Sequence, residues 1–119
     1  MRVRSGGNLN AGPMLSKLAR SPDLAPFREL VEPLAQHDRE HASFLIRTLR
    51  AYFASGESTS EAAERLFLHR NSVPYRLDRI SELTGLDWRD PQARLALKLG
   101  LMAIMEEDRE KRGEDKHAQ

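Results

Sequence analysis

Between Leu66 and Gly85 the chain reads LFLHRNSVPYRLDRISELTG, a stretch crowded with side chains that can do recognition chemistry. Asn71 has the paired donor and acceptor that match an adenine edge, and Arg70 has the fork that matches guanine or a phosphate. Ser72, with the free N–H groups of a helix start, can hold a phosphate oxygen. Tyr75 offers a ring face or a hydroxyl to a base, or else lies on the surface. Arg76 and Arg79 suit phosphate clamps, and equally the solvated face of an amphipathic helix. His69 fits a phosphate contact, but a helix cap or plain solvent exposure is the commoner case.

These side chains act together only if a helix presents them on one side and buries the other. Val73, Leu77, Ile80 and Thr84 recur at helical spacing, and Gly85 supplies the residue that tolerates a left-handed end. At about 100° per residue, Asn71, Tyr75, Asp78 and Glu82 then point away from the buried line. A shorter helix precedes it, capped by Ser58 with Glu61 or by Ser60 alone, with Ala62, Ala63 and Leu66 inward. Ala63 is the small residue that lets two helices cross closely, and FLH is the turn. This is the pattern of a helix-turn-helix, whose second helix enters a major groove.

The remaining elements are helical too. Residues 1–13 are rich in Gly and Asn and read as a flexible tail. Residues 14–37 read as linker helices in which Phe27, Leu30, Val31 and Leu34 form an apolar line and Pro33 kinks or restarts the helix. An amphipathic segment follows from Asp38 to Ala54, with Leu45, Leu49 and Tyr52 on one stripe and Ser55-Gly56 as the stop. Asp90-Pro91 opens a last helix whose leucines and methionines point in too many directions for one stripe, so it needs two partners, the second either within the chain or on a second subunit. Residues 38–106 thus form the helix-turn-helix domain, and residues 107–119 a charged tail that frays into solvent. The expected class is all-α, a single helical domain containing a helix-turn-helix, with N-terminal linker helices and a C-terminal apolar helix.

Composition narrows the function. With 119 residues and 39% hydrophobic content, one domain is affordable. A formal charge of +1 creates no global field for a polyanion, so any such binding rests on a local patch. Cysteine is absent, which fits a reducing cytoplasm, and no apolar run is long enough for a membrane span or a signal peptide. His37 and His41 sit four apart, half of a metal site with no third ligand in view, and read as surface histidines. No nucleophile with a base, no carboxylate pair and no phosphate loop points to an enzyme, a cofactor or a small-molecule ligand. Trp88 reads as a lid over the core.

LRAYF, AAERLFLHRNSV, YRLDRISELTG and DPQARLALKL together resemble the C-terminal helix-turn-helix domain of PucR/CdaR-like transcriptional regulators. A looser likeness extends upstream through SPDLAPFRELVEPLAQHDREHASFL, so the resemblance covers most of the chain from Leu18 to Ile104. It implies a cytoplasmic regulator module that binds double-stranded DNA as a homodimer. Arg70, Asn71, Ser72 and Tyr75 would enter the major groove, Arg76 and Arg79 would anchor the backbone, and His69 would complete the DNA-binding set.

The second helix of that family usually reads like HRNTVRYRLRRI, and Pro74 and Asp78 stand here where basic residues are expected. Between Glu57 and Gly85 four arginines face five acids, so weak binding by one subunit is the expectation. If His69 caps the helix, Pro74 is an interior residue that removes a hydrogen bond; if Asn71 caps it, Pro74 falls harmlessly in the first turn and Arg70 and Asn71 move onto the turn. A dimerisation or protein-interaction domain that keeps the fold but has lost useful DNA affinity is the alternative.

Overall fold

The computed structural model describes residues 11–118. Most of the expected flexible tail lies outside the described residues, but its last part does not. Ala11 to Pro13 open the first helix, α1 (Ala11–Ala19). A 3-10 turn (Pro22–Leu24), α2 (Ala25–His41), α3 (Leu45–Ala54), α4 (Thr59–Leu66), α5 (Ser72–Thr84) and α6 (Pro91–Ala118) follow, with no strand among the described residues.

One core joins five of these helices. Val31 and Leu34 of α2, Leu45 and Leu49 of α3, Ala62 and Ala63 of α4, Val73, Leu77 and Ile80 of α5 and Leu97 of α6 are all buried in it. The expected boundary at residue 38 therefore falls inside α2, whose apolar line belongs to the same core as the helix-turn-helix. Nor does Pro33 restart the helix: α2 runs through it, with the ring on the exposed side.

The segment from Asp38 to Ala54 is not one helix. Its break has an identifiable cause in Asp38, whose Oδ1 accepts from the Leu45 N–H at 2.7 Å while Oδ2 accepts from the Ile46 N–H at 2.9 Å. Ser43 donates its hydroxyl to the same carboxylate at 2.6 Å. A carboxylate that satisfies the free donors at the head of α3 stabilises a new helix start there. The chain turns through Ala42 and Phe44, both left-handed, with φ of 51° and 57°.

α6 packs mainly on α2, and the crossing is close because of Gly100. A Cβ there would overlap the carbonyl oxygen of Phe27 and lie 2.9 Å from Cγ1 of Val31. The second apolar face of α6 finds partners within the chain: α1 packs on it, and Met102 and Met105 border a hollow shared with Leu15 and Ala19. Leu95 alone among the large apolar residues of α6 points well out into water, 58% exposed. Two ion pairs, Arg20–Glu106 at 3.0 Å and Arg28–Glu107 at 2.9 Å, hold the outer part of α6 to the preceding elements. Instead of fraying at residue 107, the helix continues through the charged run to Ala118. Among the described residues no helix is long and apolar enough to cross a membrane.

Candidate nucleic-acid interface

Ser58 caps α4, its Oγ accepting from the Glu61 N–H at 3.2 Å. At the other end Phe67 takes the left-handed cap, and its N–H and that of Leu68 return to the last carbonyls of α4, Leu68 to Ala63 at 2.9 Å. Leu68 turns in against the core while Phe67, 94% exposed, turns out. His69 then organises the step into α5: its Nδ1 accepts from the Asn71 N–H at 3.1 Å and its carbonyl from the Ser72 N–H at 2.9 Å.

α5 begins at Ser72 with Asn71 in the cap position, so Pro74 is the third helical residue. The first N–H groups of a helix have no internal partner, and a proline there removes nothing. The cost of about 3 kcal/mol for an interior proline does not arise. Its consequence is positional: Arg70 and Asn71 sit on the turn, exposed, ahead of the helix.

The candidate residues separate into three groups. His69, Arg70 and Asn71 form an exposed cluster on the turn, with half-buried Ser72 behind them and Tyr75, 76% exposed, one turn along the helix. Arg76 lies elsewhere: its guanidinium donates to Oγ1 of buried Thr48 at 3.0 Å and ties α5 to α3. Arg79 stays on the surface, paired with Glu82 at 3.4 Å. Arg76 and Arg79 are thus not two equivalent prongs on one flank.

Asp78, unusual for its charge, has work to do inside the fold. Its Oδ1 accepts from the Trp88 indole N–H at 2.8 Å and from Arg89 at 3.2 Å. Trp88, 9% exposed, meets Tyr52 edge-on at 5.8 Å, and the Arg89 guanidinium lies 4.5 Å from the centre of its ring. Trp88 is therefore a lid over the core, and Asp78 is its latch. A buried indole N–H needs an acceptor, and ten residues upstream on α5 Asp78 is placed to be one.

Local charge follows from which arginines are already paired. Arg79, Arg89 and Arg94 all pair with carboxylates, Arg94 with Glu57 at 3.0 Å. Among the described residues around the motif, Arg47, Arg50, Arg65 and Arg70 are exposed with no carboxylate within 4.0 Å, and Arg76 is bonded only to a neutral hydroxyl. Arg47, Arg50 and Arg65 carry no sequence signal that separates them from other surface cations; of the three, Arg47 shares a hollow with Arg76. His37 and His41 stack with ring centres 4.5 Å apart, and Nδ1 of His37 is taken by Ser43 Oγ at 2.7 Å. No group of three metal-binding side chains occurs among the described residues.

A short capped helix, a left-handed turn and an amphipathic second helix on a shared core define a helix-turn-helix module of the DNA-binding, transcription-regulating class. Residues 45–103 match the PucR C-terminal helix-turn-helix domain, and by them the chain belongs to that family. The purine catabolism regulatory protein of Bacillus subtilis (strain 168) is 38% identical over 90 residues, which are 75% of this chain and 17% of that protein. The carbohydrate diacid regulator of Escherichia coli (strain K12) is 43% identical over 74 residues, 61% of this chain and 19% of its own. The proline-responsive transcriptional activator PutR of Bacillus subtilis is 38% identical over 71 residues, 60% of this chain and 17% of its own. The chain thus spans under a fifth of the length of each of these relatives. No solved structure gives a significant match.

Proposed function

We propose that the module reads duplex DNA with the exposed turn ahead of α5. In this reading Arg70 and Asn71 meet base edges in the major groove, Tyr75 lies against a neighbouring base, and His69 and Ser72 flank the nearest phosphate. Arg76 approaches the backbone from its tie to Thr48, and Arg79 does so on exchanging Glu82 for a phosphate. The observation that carries this reading is the uncovered cluster Arg70–Asn71–Tyr75, whose first two side chains have no hydrogen bond or ion pair holding them to the rest of the chain.

The working species is a homodimer in the cytoplasm. Two modules match paired half-sites about one helical turn apart and double the phosphate contacts, which offsets the small positive charge of one copy. The relatives bear names that refer to purine catabolism, proline and carbohydrate diacids while sharing this segment. The segment they share accordingly supplies DNA contact, with the response to a small molecule placed elsewhere in such proteins.

The test is a titration of labelled random duplex with the purified chain at two salt concentrations. Binding that weakens as salt rises is the expected result. Absence of binding at low salt and high protein concentration refutes the reading and leaves the interaction-domain alternative in its place.

A further inference from the structure

Beside the turn, a hollow of about 210 Å³ is lined by Phe44, Arg47, Leu66, Leu68 and Arg76. Its walls hold two guanidinium groups and no carboxylate. Arg76 is fixed in place by the 3.0 Å bond to Thr48 Oγ1, and Thr48 is fixed in turn by donating to the Phe44 carbonyl at 2.8 Å. One of the five N–H donors of Arg76 is used this way, and the rest remain free. Arg47, on the next turn of α3 after Phe44, is exposed and has no carboxylate within reach. Two cations that converge without an acid between them repel each other, and a bound anion relieves that repulsion.

We propose that this hollow is a phosphate site for the DNA backbone, with Arg76 as its preset arm and Arg47 as its closing arm; the assignment rests on the DNA-binding reading above. The apolar floor of Phe44, Leu66 and Leu68 suits the deoxyribose next to a phosphate rather than a fully hydrated anion. Leu68 precedes Arg70 by two residues, at most about 7 Å of chain. A phosphate held in the hollow therefore lies close to the base edges that Arg70 and Asn71 meet. The site fixes register and carries no sequence preference of its own.

The test is Arg47→Gln in the full chain, with affinity for labelled duplex measured across a salt series and thermal unfolding measured alongside. Arg50→Gln, an exposed arginine on the same helix that does not line the hollow, is the control. Loss of one phosphate contact lowers the slope of log affinity against log salt by about 0.9. The expected result is that loss for Arg47→Gln, equal on random duplexes of differing base composition, with an unchanged melting temperature and an unchanged slope for Arg50→Gln. An unchanged slope for Arg47→Gln overturns the site while leaving DNA binding intact, and so does an equal loss in Arg50→Gln, which marks a general field. Stabilisation of the wild type by inorganic phosphate that Arg47→Gln abolishes, with an unchanged DNA slope, assigns the hollow to a free anion and overturns the duplex assignment. If the wild-type chain fails to bind DNA at low salt, the DNA reading and the site fall together.

Discussion

Replacing Asp78 with arginine sets the stability of the module against its affinity for DNA. The substitution removes the acceptor of the Trp88 indole N–H and the partner of Arg89, and places a second cation beside Arg89. A hydrogen bond to a charged acceptor contributes about 1.5–3 kcal/mol, and the lower end applies because the Asp78 side chain is half exposed and water can replace part of it. The exposed Arg89 pair adds at most a few tenths of a kcal/mol. A loss of about 2 kcal/mol results, and with about 2.1 cal/mol/K of unfolding entropy per residue the melting temperature falls by roughly 8 °C. Trp88 is the only tryptophan of the chain, so its emission reports directly on the loosened lid. Affinity moves the other way: the new cation steepens the salt slope by up to about 0.9 and tightens binding at low salt. Calorimetry, tryptophan emission and anisotropy titration below the melting range check the three effects. Unchanged melting and emission would show that Asp78 does not latch Trp88. A stable lid with unaltered DNA affinity would show that this flank does not face the duplex. Asp78→Asn keeps an oxygen acceptor and should retain most of the stability.

Pro74→Arg adds a cation at a position where no hydrogen bond is at stake, so stability stays within about 0.5 kcal/mol and the salt slope steepens by about 0.9; an unaltered slope refutes it. Phe67→Gly relieves a left-handed backbone at φ 57° and gives up a side chain that is 94% exposed, so the chain gains about 1 kcal/mol in denaturant unfolding; a loss of stability would reveal a packing role for the ring. Burial, opposed by Arg94 and assisted by Glu57, raises the Tyr52 hydroxyl above its ordinary value. The unfolded chain therefore releases this proton first, and stability should hold below about pH 10 and fall as pH rises past it, an alkaline slope that Tyr52→Phe reduces.

The helices were legible in the sequence where burial repeats at helical spacing. Val73, Leu77 and Ile80 mark α5, Ser58 marks the start of α4 and Gly85 the end of α5, and all occupy those places, while Ala63 is buried in the core as its size suggests. What escaped were features set by a side chain reaching across a turn. Asp38 splits what periodicity joins into one helix, because its carboxylate caps a helix that starts seven residues later. A one-dimensional pattern has no term for such a reach. Pro33 shows the converse: a local signal for a break is overridden by the tertiary packing of Val31 and Leu34 on either side of it. At the site the residues that cluster on the turn were legible by type, but Arg47 was not, since nothing in its sequence neighbourhood marks its nearness to Arg76.

The charge of the motif illustrates why counting along the chain misleads. Of its five acids, Glu57 is held by Arg94, Glu82 by Arg79, and Asp78 by Trp88 and Arg89. Those acids are neutralised within the fold, two of them by arginines outside the counted stretch. Only Glu61 and Glu64 remain without an ion pair, against Arg65, Arg70 and Arg76 in the motif and Arg47 beside it. The slight acidic excess read in sequence thus becomes a local positive excess around the turn, where Arg70 and Asn71 are displayed. A paired acid and arginine contribute a dipole that decays quickly with distance, whereas an unpaired cation at the surface acts over a Debye length of about 8 Å at physiological salt. Pro74 and Asp78 leave one side of α5 without cations, whereas the unpaired arginines lie on the turn and toward α3, so the positive field is strongest at the end of α5, and a cation restored at position 74 or 78 extends it along that flank.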